Sequence, residues 1–97
     1  MARQPIGVRS AMTQIGENLR HWRRLLHLSR RELARRADVS ESTLTRLESG
    51  QGASLDNLLK VARALGVLGE VTESTSPWAS ERGQLLAGAE LDRRSAP

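Results

Sequence analysis

The side chains best equipped for chemistry in this chain are arginines. Fourteen of the fifteen basic residues are Arg, and seven of them lie between Arg20 and Arg36. A guanidinium is a planar fork of N–H donors that grips a phosphate, or the N7 and O6 edge of guanine, through two bonds at once. The charge is unevenly spread: residues 1–65 carry twelve bases and six acids, net +6, while residues 66–97 carry three bases and five acids, net −2. A basic front half points to nucleic acid, and the acidic remainder to a different task. Catalytic and metal chemistry find little to work with. The absence of cysteine excludes a disulfide framework and a thiolate metal site. His21 and His27 are six residues apart, on different faces of one helical pattern, and make a poor metal pair. The carboxylates are scattered among arginines. No enzyme, no cofactor and no metal is expected.

The elements that must position the arginines are clearest in residues 28–50, LSRRELARRADVSESTLTRLESG. Ser29 followed by Glu32 reads as a capping box that opens a helix, and Leu33, Ala34 and Ala37 give it one small apolar face. Asp38 breaks the pattern, Ser40 caps a second helix with Leu44 and Leu47 as its apolar pair, and Gly50 follows the last apolar position. Two helices joined by about four residues and packed through alanines form a helix-turn-helix. On the second helix Ser42, Thr45, Arg46 and Ser49 share one face, opposite Leu44 and Leu47.

Around this centre the expected class is all-α, four to five short helices in one domain. Residues 1–11 read as a flexible basic arm, 12–76 as the helical domain and 77–97 as a weakly ordered tail. Thr13 is the expected cap of a first helix running to about His27, with Ile15, Leu19, Trp22 and Leu26 as its apolar stripe. Ser54 opens another helix, with Leu55, Leu58, Leu59, Ala62 and Leu65 inward and Gly66 as its stop. Val67 to Ser76 reads as a short fifth helix or an edge strand, ended by Pro77. No apolar run reaches the roughly 20 residues of a membrane span, so no membrane partner and a cytoplasmic location are expected. A core drawn from about 55 residues is marginal alone, which makes a homodimer the expected state.

The run from Ile15 to Val67 closely resembles the Cro/phage-repressor helix-turn-helix family, the XRE family. The matching residues are Ile15-Gly16, Leu19-Arg20, Arg23, Leu28-Ser29, Glu32-Leu33-Ala34, Val39-Ser40, Glu48-Ser49-Gly50 and Ala64 to Val67. The resemblance implies a lambda-repressor-like domain of five helices whose third helix reads the major groove of double-stranded DNA, and a homodimeric repressor of transcription. Carried onto this chain, the base-reading positions are Glu41, Ser42 and Arg46, with Thr45 also facing the groove. Ser29, Arg30, Arg31, Arg20 and Arg24 are the expected phosphate contacts, and Arg23 with Glu48 a structural ion pair. Arg30 stands where the family commonly has Gln, Asp38 where it has Gly in the turn, and His27 where it has Gly at the end of the first helix. Ala53, Ser54 and Asp56 lack the basic groups that phage repressors place near phosphate.

The tail pattern, Leu65 to Leu68, Pro77 and Arg82 to Ala87, looks like HipB-like antitoxins paired with HipA-like kinase toxins. That resemblance implies that residues 67–97 bind a toxin partner. Val67, Leu68, Val71 and Trp78 are the expected dimer or partner surface, with capping of the fourth helix as their other possible role.

Overall fold

A computed structural model describes residues 4–95, and in it every regular element is helical: α1 Ile6–Leu25, α2 Arg30–Ala37, α3 Glu41–Glu48, α4 Leu55–Leu65, α5 Leu68–Ser74, a 3-10 turn at Pro77–Ala79, and α6 Glu81–Ser95. The all-α class is therefore correct, with six α-helices in place of the four to five expected. The stretch after Val67 is helix and not strand.

The four joints that connect α1 to α5 share one design. In each, a single left-handed residue follows the helix: His27 (φ 58°), Asp38 (φ 57°), Gly50 (φ 76°) and Gly66 (φ 81°). The amide of that residue reaches back to a carbonyl three positions earlier, and the next amide to one five earlier. The second bond runs from Leu28 to Arg23, Val39 to Ala34, Gln51 to Arg46 and Val67 to Ala62, all at 2.9–3.0 Å. This is the Schellman ending, which satisfies the last carbonyls of a helix. In the two tightest joints the same apolar residue that completes the ending, Leu28 or Val39, packs against the core. A serine cap follows at once. Ser29 Oγ accepts from the Glu32 amide at 3.0 Å, and Ser40 Oγ from the Thr43 amide at 3.0 Å. One left-handed residue, one apolar plug and one cap are thus all the chain needs to turn from helix to helix. The capping box is half of what the spacing predicts. The Glu32 carboxylate turns instead to Arg35 Nη2 (2.8 Å) and Arg36 Nε (3.0 Å), which together hold it below its usual carboxylate range.

The core lies where α1 to α4 converge. Leu33, Leu44 and Val61 are fully enclosed, joined by Leu19, Ala34, Leu47, Ala62 and Leu65, each large side chain contributing roughly 1.5–3 kcal/mol by its removal from water. Gly16 sets how closely α1 approaches α3: a Cβ there would lie 2.5 Å from the Leu47 carbonyl oxygen and 2.6 Å from that of Glu48.

Several expectations are corrected. Helix α1 begins at Ile6, not after a cap at Thr13, so residues 6–11 are helical; residues 1–3 of the expected arm lie outside the described residues. Of the α1 stripe only Leu19 is buried, while Ile15, Trp22 and Leu26 remain substantially exposed. Leu55, at the first position after its cap, also faces solvent. Of the two roles expected of it, Val67 takes the capping of the fourth helix: it is buried as the plug of the Schellman ending of α4. The tail, expected to be weakly ordered, carries the fifteen residues of α6. No helix among the described residues is long and apolar enough to cross a membrane.

His27 holds a left-handed backbone with a side chain that opposes it. Replacing it with glycine removes a strain of about 1 kcal/mol. His27→Gly is expected to raise the thermal midpoint by about 4–8 °C, read by circular dichroism.

Candidate nucleic-acid interface

Helix α3 divides sharply between its two sides. Leu44 and Leu47 face the core and Glu48 is enclosed, while Glu41, Ser42, Thr45, Arg46 and Ser49 are exposed. The alternation follows from 3.6 residues per turn: 44, 47 and 48 fall together and 42, 45, 46 and 49 fall opposite. Within the exposed face the hydroxyls differ in freedom. Ser42 Oγ lies 3.1 Å from Ser40 Oγ, and Ser49 Oγ donates to the Thr45 carbonyl at 2.9 Å. Arg46 has no side-chain partner among the described residues, so its whole fork is available. It borders a shallow polar cleft with Thr43, Gln51, Ser54 and Asn57. Reasoning from sequence missed Gln51 and Asn57. They come beside Arg46 only through the Gly50–Gly52 bend, and no one-helix periodicity links them.

Behind that face sits an ion cluster. Glu48, with its side chain only 2 % exposed, accepts Arg23 Nε at 2.7 Å and Arg23 Nη2 at 3.2 Å, a two-pronged pair. The remaining Arg23 nitrogen, Nη1, donates to the Leu28 carbonyl at 2.9 Å, so Arg23 clasps the α1–α2 joint as well. Arg30 Nε reaches the same carboxylate at 3.1 Å, while its side chain stays 45 % exposed. One carboxylate thus joins α1, α2 and α3. Arg30 does more than the phosphate role expected of it: it braces Glu48 with Nε and keeps the outer part of its fork toward solvent.

Further cations lie on α1 and α2. Arg24 and Arg31 are exposed, with no ion-pair partner among the described residues. Arg20 is half-buried, its Nε enclosed without a hydrogen-bond partner among the described residues. At the start of α2, Ser29 takes the Glu32 amide. The first-turn amides of Arg30 and Arg31 then point outward, as a helix start does toward an anion. Exposed cations on α1 and α2, a helix start and an exposed polar face on α3 make up a surface for a polyanion with readable edges.

A family model for the helix-turn-helix of XRE type matches residues 19–69, just over half of the chain. The chain belongs to the XRE-type helix-turn-helix family. Neither the curated proteins nor the solved structures gave a match. The matched span holds α2, α3, α4 and their caps, together with Arg23, so the domain of this XRE-type protein is that of a DNA-binding regulator.

The XRE-type domain has one enclosed charge cluster, and breaking it strands an ion. Glu48→Gln is expected to cost about 3–5 kcal/mol of folding stability, because Arg23 is left buried without a counter-charge. Arg30→Ala should cost about 1 kcal/mol or less, since that arginine is half in solvent. Urea unfolding of both variants checks the order.

Proposed function

We propose that this protein is a cytoplasmic, homodimeric repressor that reads a specific operator with α3 in the major groove. The observation that carries the reading is the uncommitted guanidinium of Arg46. It stands on the exposed face with Ser42 and Thr45, directly opposite the buried Leu44 and Leu47. Arg46 is the bidentate reader of guanine N7 and O6; Ser42 and Thr45 contact neighbouring bases, and Glu41 accepts from cytosine N4. Ser29, Arg31, Arg24, Arg20 and the outer fork of Arg30 hold phosphates and set the register. A single module offers a small interface for tight binding, so two copies on half-sites about 34 Å apart fit a specific operator better. The HipB-like reading keeps the same DNA face and adds a kinase-like toxin held by residues 67–97. No feature of that segment among the described residues is specific to it.

Selection of bound sequences from random duplexes, followed by titration on the selected site, tests the assignment. Arg46→Ala is expected to weaken binding by about 1–3 kcal/mol and to relax preference at one base pair. Arg31→Ala should weaken all duplexes alike and lower the salt slope by about one. An Arg46→Ala protein with unchanged preference at every position would refute the groove face.

A further inference from the structure

Two apolar surfaces of this chain lie open at once. The first is a groove of about 320 Å³ between α1, α4 and α5, lined by Ile15, Trp22, Leu58, Val67 and Val71. The second lies on α6, where Leu85 is 74 % and Leu86 58 % exposed. Helix α6 makes its main contacts with the Pro77–Ala79 turn. That joint is tight. A Cβ at Gly83 would overlap the Pro77 carbonyl, the Gly83 amide donates to Ser80 Oγ at 3.0 Å, and Gln84 Nε2 donates to the Trp78 carbonyl at 2.8 Å. So held, α6 extends the molecule to 59 × 33 × 20 Å, with a radius of gyration of 17.3 Å. A compact chain of this length has roughly 12–13 Å. The helix is presented outward from the body.

Charge decides what suits the groove. Its α5 wall is the face Val67, Glu70, Val71 and Ser74 (i, i+3, i+4, i+7), and Glu70 has no ion pair among the described residues. Helix α5 carries a second acid, Glu73, and no base. Two such grooves meeting face to face would bring acidic helices together, a like-charge contact that opposes association. The α6 strip has the complementary form: Arg82, Leu85, Leu86 and Ala89 repeat the same i, i+3, i+4, i+7 spacing. Arg82 has no ion pair among the described residues either.

We propose that α6 of a second copy docks its Arg82–Leu85–Leu86–Ala89 strip into the groove between α1, α4 and α5, with Arg82 against Glu70, and that the exchange is reciprocal. This rests on the reading of the protein as a homodimer and names its interface. The exchange is two-fold, and it covers Ile15 and Trp22 on one copy together with Leu85 and Leu86 on the other. Both apolar surfaces leave water in one step.

Sedimentation of the full chain without DNA tests the interface. The expected result is a dimer at micromolar concentration that Leu85→Asp with Leu86→Asp converts to monomer. Glu70→Arg and Arg82→Glu should each raise the dimer dissociation constant about tenfold, and the double exchange should restore it. These side chains lie outside the core, and circular dichroism confirms that the variants keep their helices. A monomeric full chain overturns the proposal and leaves the strip to a foreign protein. A dimer indifferent to the α6 variants, or a charge exchange that fails to rescue, overturns it as well. The base preference of Arg46→Ala on the selected operator reports separately on the DNA reading: an unchanged preference would refute α3 as the reader while the dimer measurement stood.

Discussion

The orientation of α3 depends on one buried carboxylate. Glu48 is the last residue of α3, and its two oxygens are shared between Arg23 of α1 and Arg30 at the start of α2. Three helices are thereby fixed at a point behind the surface they present. The close approach at Gly16 makes this possible, since any larger residue would push α1 off the Leu47 and Glu48 carbonyls. A buried ion pair is weak evidence for added stability, because desolvation offsets much of the attraction. Direction is the better account of this one. An apolar side chain at 48 could slide against its neighbours, whereas a two-pronged pair with fixed N–O distances holds α3 in one orientation.

Charge and hydroxyls at neighbouring positions do opposite work here. Arg46 and Glu48 are two residues apart, which on a helix places them on opposed sides. One arginine is left entirely free, while Arg23 has every nitrogen committed, at 2.7, 2.9 and 3.2 Å. Arg30 stands between the two extremes. It meets Glu48 inside and water outside, so a phosphate on its outer face would feel a guanidinium already oriented by the core. That coupling links the integrity of the fold to the placement of a backbone contact.

The parts legible in the sequence are those governed by local rules. Ser29, Ser40 and Ser54 mark the helix starts because a hydroxyl three residues before a free amide has few other uses. Asp38 and Gly66 mark the stops because few residues accept a left-handed backbone. The pairing of Arg23 with Glu48 came from family resemblance, since nothing in a spacing of twenty-five residues announces a contact. What sequence reasoning missed has the same cause. The first eight residues of α1, Ile6 to Thr13, are not legible as helix because they carry no cap signal and no clean stripe. Gln51 and Asn57 meet Arg46 across a glycine bend.

Helix α1 is the element through which the front and back of the molecule are joined. Its twenty residues, about 30 Å at the usual rise, present Arg23 inward to α3 and Ile15 and Trp22 to the open groove. A partner seated in that groove would therefore grip the same rigid rod that fixes α3. The angle between the α3 helices of two such copies would follow from α1 and its ion pair together with the Pro77–Ala79 joint that carries each α6. The basic and acidic halves of the sequence follow the same division: seven arginines gather between Arg20 and Arg36, while α5, which walls the groove, carries two acids and no base.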